Sequence, residues 1–436
     1  MDMKSYLFLG VFLLCATGNG LSQQVLELTL DKAIHIAMEN NQQIQMAKDD
    51  QSLAKQQVRE TSASLYPQID GTINYTRNIK SPVFFSNIMP EPIRIGNKNA
   101  FLFGMNLKQA IWLGGKLFTA RQIAELSAQG AEKKLALTRE NVVLDVTKTF
   151  YSALLMQEML RVTRETLDNA KANYKNILKL RQQGLASDFD SLRAKVRVAS
   201  LEPELIKARS NVETVTNALK FLLNLDLQQK VKLVGELRYL PEQFPENERE
   251  FALEHRKELS ALRIQREIQR KVVSIERAAY FPSVFAVGNL QTQASSEDFH
   301  ITERERATIF SLGLMISVPI FHGFKTLARM QQAKINLDKI NRQMEMLAKQ
   351  ILLEVQNSRL RLQEAEQRVK AQTESVQQAE KALEIARVRF QNGLSTQLEL
   401  NDAETALARA KFARLSAIYD YLTAKADYEK AVGIIQ

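Results

Sequence analysis

The 436-residue sequence holds one cysteine, Cys15. A lone cysteine cannot form an internal disulfide, and it excludes a cysteine-based metal cluster. Proline and glycine are sparse, with 9 and 16 residues. Beyond the N-terminal segment, no stretch reaches the roughly 18 apolar residues that a membrane helix needs. The four histidines, His35, His255, His300 and His322, stand far apart with no ligand spacing, so no metal site is expected. There is no phosphate loop, nucleophile elbow or catalytic dyad. The chain therefore reads as a non-enzyme without a cofactor. The formal net charge is +10. Its charges are interspersed along the chain with no basic cluster among aromatics, so nucleic acid is not an expected partner.

The N-terminus sets the compartment. Lys4 opens a short charged region, and Tyr6 to Cys15 is an apolar run of 10 residues. That is too short to span a bilayer and suits a signal-peptide core. Gly20-Leu21-Ser22 offers a cleavage site, giving 1–22 as a removed leader. An alternative is a lipoprotein signal with Cys15 lipidated, although Leu14 is bulky for that role. A secreted chain without a membrane helix is either soluble or a β-barrel.

The sequence is one unit written twice. Gly104, Ile111, Gly114 and Lys116 match Gly313, Ile320, Gly323 and Lys325, each pair 209 apart. The same offset carries Gly184-Leu185 onto Gly393-Leu394, Ser187 onto Thr396 and Asp190 onto Glu399. Upstream the offset is 215: Ala37-Met38-Glu39 matches Ala252-Leu253-Glu254, and Tyr66-Pro67 matches Phe281-Pro282. The first repeat is assigned to 23–224, a connecting segment to 225–250 and the second repeat to 251–436.

Each unit reads helix, strand, loop, strand, long helix, turn, long helix. The first helix is expected from Thr29-Leu30-Asp31 to about Leu65, stopped by Pro67. Strands are expected near 67–78, 100–111, 282–292 and 307–318. Ile69, Gly71, Ile73 and Tyr75 alternate with Gln68, Asp70, Thr72, Asn74 and Thr76, which makes one apolar face and one wet face. Phe101, Phe103, Met105 and Leu107 do the same in the second strand, and Phe310, Leu312, Leu314, Ile316 and Val318 in the fourth. Residues 283–292 are the weakest strand, because Phe285 and Val287 fall on the polar side. A loop over 79–98 with Pro82, Pro90 and Pro92 should be irregular.

The helices carry the most information. Leu117 to Gln183 runs without proline, with Gly130 its only interior glycine, and the equally long Thr326 to Asn392 has neither. At about 1.5 Å per residue each extends roughly 100 Å. Such rods need a neighbour along their whole length, as in a coiled coil. Gly184 and Gly393 end them where a left-handed cap is expected. Ser187 with Asp190, and Thr396 with Glu399, are capping-box signals that restart a helix at once. Pro203 should kink the first returning helix.

Four strands with a lipid-type face cannot bury their edges alone; the smallest common membrane barrels have about 8. Several chains must close the sheet, and a dimer with 8 strands or a trimer with 12 would both do so. The residues leave that choice open. The rival reading is a periplasmic coiled-coil adaptor or structural envelope protein with no membrane barrel.

Leu28 to Ala33 continuing to Glu39-Asn40-Asn41, Ala252 to Leu259, Arg181 with Gly184-Leu185 and Asp190, and Arg389 with Gly393-Leu394 together resemble the TolC-type outer-membrane efflux proteins over nearly all of 25–434. The resemblance implies a mainly α protein with a membrane β-barrel. Three chains would make a 12-stranded barrel in outer-membrane lipid, continued by an α-barrel tunnel of long antiparallel hairpins through the periplasm. The implied partners are a periplasmic adaptor protein and an inner-membrane pump, with substrates conducted unchanged.

On the same ground, Glu399 and Asp402 are the expected carboxylates of a periplasmic aperture. Three residues apart, they share a helix face. Gly184, Leu185, Ser187, Asp190, Gly393, Leu394 and Thr396 are the expected adaptor-docking tips. Their other reading is local: glycines end helices, the leucines pack back on the cap, and Ser187, Asp190 and Thr396 cap. Asp190 also has a reading as a tie between neighbouring hairpins through a basic residue. Trp112 and its counterpart Phe321 read as interfacial aromatics at a barrel rim.

Overall fold

A computed structural model describes residues 25–80, 83–85, 93–94, 96–241, 247–299, 301–302 and 306–435. The leader 1–22 with Cys15, the loop prolines Pro82, Pro90 and Pro92, and His300 lie outside the described residues.

The chain builds two rod-like hairpins on one side of a small sheet. In the first repeat, β1 (Leu26–Leu28), α1 (Leu30–Asn40) and α2 (Gln42–Ala63) lead into β2 (Gln68–Arg77). Short β3 (Val83–Phe84) and β4 (Ile93–Arg94) precede β5 (Asn99–Trp112). The arm is α3 (Lys116–Gln182) and α4 (Asp188–Leu222). After β6 (Val231–Leu233), the second repeat runs α5 (Glu248–His255), α6 (Lys257–Ala278), β7 (Ser283–Ser296) and β8 (Arg306–Ser317). Its arm is α7 (Lys325–Gln391) and α8 (Gln397–Val432). The two long outgoing helices are each 67 residues, as expected, and α4 runs through Pro203 without interruption.

The expected single opening helix is in fact two. The chain breaks at Asn41 (φ −62°, ψ 128°) and, at the equivalent place in the second repeat, at Arg256 (φ −61°, ψ 122°). Both breaks do the same job. The Asn41 carboxamide caps α2 through the N–H groups of Gln43 and Ile44, and its Nδ2 donates to the Leu222 carbonyl at the end of α4 (2.8 Å). The Arg256 guanidinium donates to the Ala431 carbonyl at the end of α8 (3.1 Å). Leu222 and Ala431 are themselves repeat equivalents. Helix ends leave carbonyls without partners, and each repeat satisfies one of them with a side chain from its own break.

The duplication extends into the core. Val142, Val146 and Ala153 in α3 match Ile351, Val355 and Leu362 in α7, and all six are at most 1% exposed. One exchange is chemical. Phe150, buried in the first core, is replaced by Arg359, which pairs with the buried Glu248 (2.7 Å). Glu248 also accepts from the Tyr428 hydroxyl (2.6 Å), where the first repeat has Leu219. A buried charge must be paired and hydrogen-bonded, and both partners are present. Burial and the hydrogen bond to Glu248 push the Tyr428 hydroxyl well above the usual phenol range.

The main sheet is antiparallel, in the order β2-β5-β7-β8. Its register aligns the alternating faces. Ile73 pairs with Phe103, Met105 with Leu290, and Leu290 with Phe310, which gathers the apolar side chains on one face. Asp70, Asn106, Asn289 and Ser311 form a row on the other, with the Asn289 amide donating to Asn106 (2.7 Å). β7 is a full 14-residue strand. Its Phe285 lies on the polar face because Lys108 covers it, with the ammonium 4.9 Å from the ring centre.

At the helix-side end of the sheet, Trp112 packs edge-on against Phe281 with centres 6.1 Å apart. Strand then passes to long helix through two successive left-handed residues, Gly114-Gly115 and Gly323-Phe324. Gly114 has no alternative: a Cβ there would lie 2.8 Å from the Ala278 carbonyl oxygen. No helix among the described residues is long and apolar enough to cross a membrane.

Candidate functional site

The far ends of the two arms hold the expected site residues. Both tips are closed by the same backbone device. Gly184 (φ 74°) and Gly393 (φ 71°) take the left-handed conformation. The Leu185 N–H reaches the Leu180 carbonyl, and the Leu394 N–H the Arg389 carbonyl, both at 2.8 Å. These are the long bonds of a Schellman cap. The leucines, however, do not pack back on their helices: Leu185 is 73% and Leu394 69% exposed. Each tip therefore presents an apolar side chain to its surroundings, and the packed-back reading is corrected.

The tips differ in how firmly the returning helix is held. At the first, the capping box is complete. The Asp190 N–H donates to Ser187 Oγ (3.1 Å), and the Ser187 N–H donates to the Asp190 carboxylate (3.2 Å). Arg181 makes an ion pair across the turn with Asp188 (3.3 Å). Asp190 thus acts as a cap within its own hairpin, while Arg181 is held by Asp188.

At the second tip only half of the box forms. The Glu399 N–H donates to Thr396 Oγ1 (3.3 Å) and the Thr396 hydroxyl reaches the Glu399 carboxylate (3.4 Å), which also lies 4.0 Å from Arg389, but the reciprocal bond from the Thr396 N–H is not made. Just inside, the Gln397 side chain is 6% exposed, and among the described residues neither its amide nitrogen nor its amide oxygen has a partner. The Ser395 hydroxyl is likewise unpaired. Burying polar groups without partners is costly, so the second tip, although Arg389 bonds the Leu394 carbonyl across its turn (3.2 Å), carries an unsatisfied side chain just inside its cap.

Glu399 and Asp402 are both exposed on the first turns of α8. Among the described residues Glu399 has Arg389 as its ion partner, while Asp402 makes no ion pair. One turn further, the two arms meet. Arg197 on α4 donates to Thr405 on α8 (3.0 Å), and the Asn173 amide lies 3.5 Å from Asn401. Glu404 on α8 lines a groove with Asn173 and Lys179 of α3 and Arg387 of α7. Burial raises its carboxyl above the usual range, partly offset by Arg387 and Arg197. The sequence pattern did not single out Glu404, Arg197 or Thr405. Their signal is relational, since the contacts link positions on different arms.

No cluster of three or more potential metal ligands occurs among the described residues.

The model of the outer membrane efflux protein family matches residues 33–225 and 250–433. Among curated relatives, the alkaline protease secretion protein AprF of Pseudomonas aeruginosa is 23% identical, the match covering 99% of this chain and 89% of AprF. The outer membrane protein TolC of Vibrio cholerae is 22% identical over 98% of this chain and 95% of its own length. Among solved structures, the CmeC outer membrane channel of Campylobacter jejuni superimposes with a TM-score of 0.80 at 21% identity, covering 93% of this chain and 85% of that one. The outer membrane protein VceC of Vibrio cholerae gives 0.75 at 21% identity, covering 93% and 96%.

Proposed function

The chain belongs to the outer membrane efflux protein family, and on that premise we propose that three copies close into a continuous duct across the outer membrane and periplasm. It is an outer-membrane channel protein of efflux or secretion and not an enzyme. The observation that carries closure by several copies is the open sheet, and the number three follows the family resemblance. β2 and β8 form its two edges, and every residue of both strands is exposed. A lipid-facing sheet with unpaired edges is not viable in hydrocarbon. The edges run antiparallel and can pair from copy to copy. Three copies give 12 strands and 12 long-helix positions.

The arms carry matching unpartnered stripes. Phe189, Leu192 and Val196 are exposed along α4, in line with Leu185 of the tip turn, and Met346, Leu353 and Leu360 along α7. Both stripes follow heptad-like spacing, as a coiled-coil seam requires, and neighbouring copies would bury them against each other.

In this duct the carboxylates of Asp402 and Glu399 ring the tunnel's inner end and favour cations. Three chains would supply six of them. The second hairpin is the moving part of the aperture, in keeping with its half-formed cap and unpaired Gln397. The tips Gly184-Leu185 and Gly393-Leu394, with their caps Ser187, Asp190 and Thr396, dock a periplasmic adaptor that couples to an inner-membrane pump. Cargo passes through unchanged.

The test is the mass of the detergent-solubilised protein by light scattering. A protein mass of three chains supports the duct. A fully soluble monomer without detergent returns the rival, a periplasmic coiled-coil protein.

A further inference from the structure

The lipid-type face of the main sheet carries only two charged residues among the described strands, and both are arginines at one end. Arg77 closes β2, and Arg306 opens β8. The register places them on the apolar side. Arg306 pairs with Ala294, which continues through Phe101 to Tyr75, and Arg77 stands two residues beyond Tyr75 on the same face. The other two charges of these strands, Asp70 and Lys108, lie on the polar face. Both arginines are exposed, and neither makes an ion pair among the described residues. The nearby Glu297 is already engaged by Lys98 at 3.1 Å.

Their height is informative. Arg306 is ten residues from Ile316, whose row includes Val284 and Trp112 at the helix-side end. Ten residues span roughly 33 Å along a strand. With the usual tilt of about 40°, this is about 25 Å along the membrane normal, the height of a barrel's apolar band. With Trp112 at one hydrocarbon boundary, the arginines stand at the other, on the outer side away from the helices. An aromatic cluster of Tyr75, Phe101 and Phe299, with ring centres 5.0–6.3 Å apart, marks the same level.

We propose that Arg77 and Arg306 form a binding site for the phosphate groups of an outer-leaflet lipid. A guanidinium fork matches phosphate bidentately, and its stem lies along apolar surface while its head reaches the headgroups. Within one chain the two arginines sit on opposite edges of the sheet, about 14 Å apart at three strand spacings. The inference rests on the closed barrel for one feature: at the seam, β8 of one copy meets β2 of the next, so the strand that carries Arg306 and the neighbour's strand that carries Arg77 become adjacent, and a seam bearing both arginines recurs three times per ring.

The test is native mass spectrometry of the detergent-solubilised protein with a bis-phosphorylated glucosamine lipid, its dephosphorylated counterpart, and inorganic phosphate as competitor. The wild type should prefer the phosphorylated lipid by about tenfold or more, R77Q/R306Q should lose that preference, R77K/R306K should keep part of it, and millimolar phosphate should not displace the lipid. The same spectra report the assembly. A trimer that does not discriminate, or whose glutamine variant binds equally well, overturns the site; that result is also expected if Glu303 and Glu305, next in sequence, neutralise it. Displacement by millimolar phosphate makes it a free-anion site and overturns the lipid assignment. A discriminating monomer supports the arginine site and refutes only the paired seam, and a monomer without discrimination overturns both.

Discussion

Replacing Arg256 with alanine should loosen the junction of α5, α6 and the end of α8 more than any comparable change at Asn41, its counterpart in the first repeat. Arg256 is 6% exposed. Its Nε and Nη2 donate to the two oxygens of Glu258, both at 3.0 Å, Nη2 also to Glu354 at 3.0 Å, and Nη1 to the Ala431 carbonyl at 3.1 Å. Truncation leaves the Glu258 carboxylate, 25% exposed, without its cation and the Ala431 carbonyl without its donor. Breaking a buried pair costs about 3–5 kcal/mol. Partial access of water to Glu258 and Glu354 puts this case near about 3 kcal/mol, a roughly 100-fold change in a local opening equilibrium. Asn41→Ala removes a neutral cap and one bond, about 1–2 kcal/mol.

The acid dependence gives a second handle. Burial alone would raise the Glu258 carboxyl, but the bonds from Arg256 outweigh it and hold it below the usual range. Its folded value is thus below its unfolded one. The pair's contribution is complete above the unfolded value and is lost as pH falls through the folded value. In Arg256→Ala burial is opposed only by the backbone N–H at Glu258 and by Lys430, so the deficit should be large at neutral pH and shrink in acid as Glu258 takes a proton. Hydrogen exchange of amides in α5, α6 and the last turns of α8, in the detergent-solubilised protein, measures both effects. Equal protection in the two alanine variants, or a deficit that does not diminish in acid, would refute the reasoning.

Two predictions concern the tips. Asp402→Ala should raise single-channel conductance in planar bilayers and lower cation preference, with a smaller effect for Glu399→Ala because Glu399 is already partnered by Arg389; unchanged conductance and selectivity would remove Asp402 from the aperture. Leu185→Glu with Leu394→Glu should cut recovery of a crosslinked periplasmic adaptor by about tenfold while leaving assembly intact, since both leucines are exposed and a docked tip would have to bury two unpaired carboxylates. Undiminished adaptor recovery would return them to a purely local role.

The rods, their glycine ends and the alternating strands were legible because each depends on local rules. A proline-free run as long as α3 or α7 is a helix wherever it lies, and Gly184 and Gly393 can take a left-handed cap at little cost. The breaks at Asn41 and Arg256 were not legible as breaks. Neither sits beside proline or glycine, and the conformations are held by bonds to carbonyls 181 and 175 residues away. Asn41 did carry a faint signal as a good N-cap residue. Arg256 carried none except its place as the repeat equivalent of Asn41. The parallel pair β1–β6 escaped for the same reason, since its three-residue strands are joined only through the fold. Phe285 weakened the β7 assignment because a sequence cannot show that Lys108 comes across from β5 to cover it. Exposure of Leu185 and Leu394 separates the docking reading from the packed-back one, and only their surroundings decide it.

The central claim is the seam between copies, and disulfide trapping tests it most directly. Within one chain β2 and β8 lie about 14 Å apart across the sheet, well beyond the roughly 7 Å Cα separation a disulfide tolerates. Any bond between them must join two copies. With Cys15→Ser to remove the native thiol, Ile73→Cys in β2 can be combined in turn with Phe310→Cys, Leu312→Cys or Leu314→Cys in β8. At least one combination should give a non-reducing ladder that ends at three chains; monomers in every combination, or a ladder ending at two or running on without limit, would contradict the closed 12-stranded duct.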